Sequence, residues 1–140
     1  MTTSRNRRRE RELANEVPPG WTGTLPEYLV YRALLQAGKV PGVDFIFQSD
    51  VSGGRLELGG LVVDFLFAQP PDLAISVAGV FFHYEQGASI QRHDQIARVQ
   101  LGNMGYQLIT IDDDAALRDA SFYVREALQY RDHSRAARGL

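Results

Sequence analysis

Apolar residues recur along this chain with two different periods. Between Leu25 and Gly38 they fall every three to four positions, at Leu29, Val30, Ala33, Leu34 and Ala37, which is one stripe of a helix. Thr24 can cap that helix, Pro26 suits its first turn, and Glu27 stands three residues after the cap, the spacing of a capping box. Gly38 closes it. Beyond Val40-Pro-Gly-Val43 the pattern turns to extended runs. Asp44 to Val51, with Phe45, Ile46 and Phe47 inside, reads as a strand, and Ser52-Gly-Gly54 as a hairpin signal. Arg55 to Leu58 resumes the sheet, Gly59-Gly60 permits a bend or bulge, and Leu61 to Phe67 continues as a strand. After the turn at Gln69-Pro-Pro-Asp72, the run from Leu73 to Phe82 is apolar on both faces and therefore central.

Helical spacing returns from Ser89 to Met104, with Ile90, Ile96, Ala97 and Leu101 expected to face inward and Gly105 as the stop. Tyr106 to Ile111 reads as a short strand. Asp112, Asp113 and Asp114 open a last helix, from Ala115 to about Tyr130, where carboxylates complement the positive N-terminal dipole. The order predicts a mixed α/β (α+β) fold, αβββαβα, with a mixed central sheet flanked by helices. One domain over residues 21–130 is expected, between an arginine-rich segment at 1–20, a mobile arm or a frayed helix up to about Glu16, and a basic tail at 131–140.

Composition narrows the chemistry. The chain has no cysteine, which removes disulfide scaffolds, thiolate zinc sites and cysteine nucleophiles. No apolar run approaches the ~20 residues that span a bilayer, and no apolar stretch follows the N-terminal arginines as in a secretory signal. No membrane association and no small-molecule cofactor are expected, with a cytoplasmic or virion-associated location. Charge is uneven: Arg5, Arg7, Arg8, Arg9 and Arg11 crowd the start, Arg131, Arg135 and Arg138 mark the end, and acidic residues outnumber basic ones by about two to one from Glu27 to Asp119. Basic ends on an acidic body can serve as phosphate-binding arms. The plainer reading has both ends solvated and partly disordered, with Glu10, Glu12 and Glu16 blunting the first cluster.

Asp64 sits inside a run that otherwise reads as a buried strand. A carboxylate there costs several kcal/mol unless it is paired, hydrogen-bonded or bound to a metal. Ser76, Ala78 and His83 are the neighbouring positions that decide between these, and Ser76 and Ala78 share a face by the period of two.

These residues resemble the PD-(D/E)XK, or restriction-endonuclease-like, nuclease superfamily, and within it the very short patch repair endonucleases and related small proteins. That pattern has a glutamate on the first helix, an aspartate ending a hairpin strand, and Glu-x-Lys on the next strand. Glu27 matches the helix glutamate and Asp64 the strand aspartate, while Ser76 and Ala78 stand where the second acid and the lysine belong. Gly79, Phe82-His83, Asp94, Arg98, Leu101 and Gly105-Tyr106 fit the remainder, so the resemblance runs from about Thr24 to Asp113. It implies the αβββαβα restriction-endonuclease-like core and, in an active member, Mg²⁺-dependent cleavage of DNA, with Asp64 as a metal ligand and Glu27 and His83 as the other surviving catalytic candidates. Ser76 is a poor ligand and Ala78 supplies no charge, which argues against Mg²⁺ here. A migrated acid at Asp72 or Glu85 is a further option, with Asp72 too far along its strand.

Each candidate also has a structural explanation. Glu27 can simply complete the cap. Asp64 can pair with Arg92, Arg98 or a backbone amide as the relic of a lost site. His83 can be a hydrogen-bonded boundary residue, and Asp94 and Arg98 a surface pair at i, i+4. Phe81, Phe82 and Tyr84 can pack rather than stack on bases. Three functions stay open: a degenerate, inactive nuclease fold acting in nucleic-acid association or in phage or mobile-element assembly; an active Mg²⁺-dependent endonuclease with a rearranged site; and a module that binds neighbouring proteins. In the first, Arg5, Arg7, Arg8, Arg9, Arg11, Arg92 and Arg98 are the candidate nucleic-acid contacts.

Overall fold

The computed structural model describes residues 4–48, 56–58, 61–79 and 88–138. The elements run α1 (Ser4–Ala14), α2 (Leu25–Gln36), β1 (Phe45–Phe47), β2 (Leu56–Leu58), β3 (Leu61–Val63), β4 (Phe65–Phe67), β5 (Leu73–Ala78), α3 (Ala88–Asn103), β6 (Gln107–Asp112) and α4 (Asp113–Leu128). The main sheet has four strands in the order β1-β4-β5-β6. The first two pairings are antiparallel, and β5 and β6 are parallel, joined through α3. β2 and β3 form a separate antiparallel ribbon. This is a mixed sheet flanked by helices, an α+β fold, as the residue pattern predicts.

Alternation along the strands explains the layers. Phe45, Phe47, Phe65, Phe67, Ile75, Ile109 and Ile111 point to one face and are buried there with Val30 and Leu34 of α2 and Val124 and Ala127 of α4. Opposite residues, Ala74 and Leu108, pack with Val63 and with Leu101 of α3. Trp21 closes the aromatic end of the first core: its ring stacks on Phe47 at 4.7 Å and meets Tyr28 edge-on at 5.3 Å.

α2 begins as its sequence predicts. Thr24 Oγ1 accepts from Glu27 N at 3.2 Å, and Glu27 Oε1 accepts from Thr24 N at 2.7 Å, a complete capping box. Gly38, just past the Ala37 C-cap, turns the chain away with a φ of +89° that is costly for any residue with a Cβ. Ala37, placed in the apolar stripe by its spacing, is exposed, because the helix has already ended at Gln36.

Three expectations are corrected. The run Leu61–Phe67 is not one strand: it breaks at Asp64, where the chain leaves the β2–β3 ribbon and joins the main sheet. Ile96 faces outward, 59% exposed. With 3.6 residues per turn it lies about 140° around α3 from the buried Leu101, whereas Arg98 shares Leu101's side. The last segment is no free tail. Ser134 is buried, Ala137 N donates to its Oγ at 3.2 Å, and Arg135 pairs with Asp112 and Asp114. Of the two forms expected for the N-terminal segment, its arginines take the helical one, α1, which meets α4 through Arg9. Ser52-Gly-Gly54, Gly59-Gly60 and the continuation of β5 to Phe82 lie outside the described residues. No helix among the described residues is long and apolar enough to cross a membrane.

Candidate functional site: a carboxylate pair bridged by an amide

Strand register lines up one row of polar residues. Phe47 faces Phe65, Phe65 faces Ile75, and Ser76 faces Thr110. One step along, the same registers set Gln48 beside Asp64 and Asp64 beside Ser76. Asp64 is held by main chain on both sides: its N–H donates to Ile75 O at 3.1 Å, and its carbonyl accepts from Gln48 N at 2.9 Å.

The Asp64 side chain is 7% exposed and Glu27 8%. Their carboxylates do not stand alone. Gln48 Nε2 donates to Glu27 Oε2 at 2.8 Å and also to Asp64 Oδ1. Val77 N donates to Asp64 Oδ2 at 2.7 Å, with the Ser76 hydroxyl at 3.5 Å from the same oxygen. Glu27 Oε1 is the capping oxygen on Thr24 N. Glu27 therefore serves the cap and the cluster at once: the two readings of this residue are compatible, one oxygen each.

Burial and the neighbouring Glu27 carboxylate push the Asp64 carboxyl up to about 8. Burial also pushes Glu27 upward, but hydrogen bonds involving Asp64, Thr24 and Gln48 outweigh it and leave Glu27 below its ordinary value. The pair at neutral pH therefore holds one proton and one negative charge between them.

The donor set can be tested against a divalent cation. Two carboxylates and a serine hydroxyl are hard oxygen donors of the type Mg²⁺ takes. All four carboxylate oxygens, however, already accept an N–H, and the place between the two groups is filled by the Gln48 NH₂, which is a donor. Among the described residues no three His, Cys, Asp or Glu side chains converge to hold a metal. Arranged this way, the residues do not fit Mg²⁺.

The other candidates are spread out. Arg98 donates to Leu108 O at 3.4 Å and to Thr110 Oγ1, and lies 3.6 Å from Asp132. Asp132 also accepts from Thr110 N at 3.0 Å, covering an N–H of the edge strand β6. Asp72 stands at the start of β5 and accepts from the Tyr130 hydroxyl. Asp112 is the N-cap residue of α4, yet its carboxylate bonds Arg135 at 3.1 Å rather than its own helix. Arg7, Arg8, Arg9 and Arg11 are exposed on α1. Arg5 and Arg92 lie on α1 and α3, but their side chains are outside the described residues, as is Asp94's. His83, Glu85, Phe81, Phe82 and Tyr84 are outside them altogether. Ala78 is buried on the face of Ser76.

Gln48 and Arg135 were not singled out by the sequence. For Gln48 a signal existed: it follows Phe45-Ile46-Phe47, and the period of two places it opposite the buried phenylalanines, on the side of Asp64. For Arg135 there was none, since nothing in its neighbourhood along the chain names Asp112 or Asp114. Compared with protein-family models, with curated proteins and with solved structures, the chain has no match.

Proposed function

We propose that this chain is a nuclease-like protein of the PD-(D/E)XK type whose cutting centre is degenerate, and that it acts by associating with nucleic acid, DNA in the first place, in a phage or mobile-element setting. One observation carries the reading. Glu27 on α2 comes together with Asp64 and Ser76 on neighbouring strands of the mixed sheet, which supports matching them to the helix acid, the strand aspartate and the second acid of that pattern. The sequence of a helix, a run of strands, a crossover helix, a parallel edge strand and a last helix also supports the αβββαβα arrangement that the resemblance implies, with the β2–β3 ribbon as an addition to it. Where catalysis needs a cation, this site has the Gln48 amide. Exposed Arg7, Arg8 and Arg11 on α1 supply phosphate contacts.

The test is a plasmid-nicking assay with Mg²⁺ and with Mn²⁺, run beside Asp64→Ala, together with DNA binding titrated against salt. No nicking is expected, and affinity should fall linearly on logarithmic axes as salt rises. Deletion of the residues before Val17 should weaken binding. Nicking that Asp64→Ala abolishes would instead establish the active Mg²⁺-dependent endonuclease. Absent or salt-insensitive binding would favour the protein-interaction module.

A further inference from the structure

We infer that the cavity where α1, α2 and the middle of α4 meet binds a small phosphate. It has a volume of about 150 Å³, and its walls include Arg9, Arg32, Gln36, Arg118 and Ser121. That is room for one tetrahedral oxyanion with a few waters.

The cavity exists because α4 is not continuous. At Asp119 the backbone leaves the helical region (φ −162°, ψ 74°). Asp119 Oδ1 then accepts from Phe122 N at 3.2 Å, as an N-cap does, and a second helical segment starts at Ala120. The break frees the Arg118 carbonyl, which accepts from Arg9 Nη2 at 3.1 Å and so docks α1.

Three arginines thus line one small polar space. Arg32 has a carboxylate partner in Glu16. The other two do not: Arg9 donates to a carbonyl, and Arg118 Nη2 donates to the Tyr123 hydroxyl at 2.5 Å and sits over that ring. Asp114, the acid that acts on Arg118 through space, is itself bridged by Arg135 at 2.8 Å. Among the residues lining the cavity Asp119 is the one acid against three arginines, and with Glu16 on Arg32 also counted the walls keep a net positive charge; Glu10 and Asp114 border the adjoining cavity that Arg9 and Arg118 share. Guanidinium cannot shed its proton to relieve that charge, and its planar fork suits the oxygens of a phosphate. The Ser121 hydroxyl donates to Gln36 Oε1 at 3.4 Å, which leaves the Gln36 NH₂ as a neutral donor in the wall. An oxyanion is the ligand class these walls complement. This inference rests on its own geometry and stands apart from the carboxylate site on the sheet.

Calorimetric titration with inorganic phosphate, against chloride at equal ionic strength, reads the site directly. Saturable binding is expected for the native chain and a loss of at least tenfold for Arg118→Gln. Ser121→Asp guards against a folding artefact, because a carboxylate is favourable in a first helical turn yet repels the ligand. It should keep the native melting temperature in chloride and abolish phosphate binding. Phosphate heats no different from chloride, or binding by either variant within twofold of native, would overturn the inference. A short DNA duplex added to the phosphate complex separates the two sources of the group. Failure to compete supports a small phosphate, and displacement that Ser121→Asp abolishes replaces it with a backbone phosphate and defeats the proposal as stated.

Discussion

Asp64 and Glu27 accept hydrogen bonds from one and the same amide nitrogen, that of Gln48. Two buried carboxylates close together repel unless a cation, a proton or a donor intervenes. Here a proton and a donor do so together. The arrangement accounts for a carboxylate inside an apolar run without calling on a metal, and it makes Gln48 the central residue of the cluster.

Gln48→Leu keeps roughly the same size and removes that donor. Glu27 Oε2 and Asp64 Oδ1 then lose their shared partner while staying largely out of water. The expected cost is about 1–3 kcal/mol of unfolding free energy at neutral pH, read from urea titrations. A variant as stable as native would mean that water or another group satisfies both oxygens.

The Asp64 proton gives stability a definite pH dependence. In the unfolded chain the carboxyl titrates near its ordinary 3.8; in the folded protein it holds its proton to about 8. Between those values the native state binds the extra proton, so stability falls as pH rises and levels off above the upper value. One proton corresponds to a slope approaching ~1.4 kcal/mol per pH unit in mid-window. Glu27 is shifted the opposite way, so its contribution is full above its unfolded value of 4.5 and is lost as the pH falls below that, from the acid end of the Asp64 window downward. Asp64→Asn keeps an oxygen for Val77 N and turns an amide toward Glu27. It should flatten the slope from pH ~4 to ~8 and make the protein more stable than native at the alkaline end, as urea midpoints across that window would show. An unchanged slope would place the proton elsewhere.

Legibility in the sequence followed the range of the interactions. The capping box at Thr24 and Glu27 is local, so three residues of spacing were enough to find it. The sheet and its helices follow from periodicity, and Asp64 stood out because a carboxylate contradicts its apolar surroundings. What failed was non-local or depended on phase. Gln48 becomes significant only once β1 is paired with β4 in the observed register. Helical spacing of apolar residues points Ile96 inward, but the true inward line of α3 runs through Leu101 and Arg98, an arginine that reaches Thr110. The arginines at the C-terminus looked like a solvated tail because their acidic partners are far away in the chain.

Arg135 tests that last point. Its guanidinium bridges Asp112 at 3.1 Å and Asp114 at 2.8 Å, and holds the Asp114 carboxyl below its ordinary range. Asp112 is only 4% exposed, so Arg135→Ala leaves a buried acid short of a partner. A loss of about 1–3 kcal/mol is expected, at the modest end for a broken ion pair because Arg135 itself is partly solvated. Limited trypsin digestion should then cut faster at Arg131 and Arg138. An unaltered cleavage rate would show that Ser134 and Asp132 secure the segment without it.

Gly23 is fixed by crowding rather than by backbone angle. A Cβ added there would lie 2.9 Å from the Phe47 ring and 3.1 Å from the Trp21 indole. These rings are stacked on each other and cannot both retreat. Gly23→Ala should cost about 1–3 kcal/mol through overpacking and change the tryptophan emission, since Trp21 is the single tryptophan. A native spectrum and melting temperature would mean that the loop before α2 shifts freely.

Restoring the lost charges is the sharpest test of the alignment behind the proposed function. Ser76 is beside Asp64 in register, and Ala78 is the next residue on the same face. Ser76→Glu combined with Ala78→Lys therefore brings a third acid to Glu27 and Asp64 and a cation beside them. Three carboxylates can no longer be reconciled by one proton and one amide donor. Rotation of the Gln48 amide would turn its oxygen, in place of its nitrogen, toward the group, completing an all-oxygen set suited to Mn²⁺ or Mg²⁺. Calorimetry should detect saturable Mn²⁺ binding by the folded double variant and at least tenfold weaker binding by the native chain. Adding Asp64→Ala to the double variant should remove it. If the double variant folds, as circular dichroism would report, and still takes up no Mn²⁺, Ser76 does not occupy the position of the missing acid, and the likeness to a nuclease centre fails at that residue.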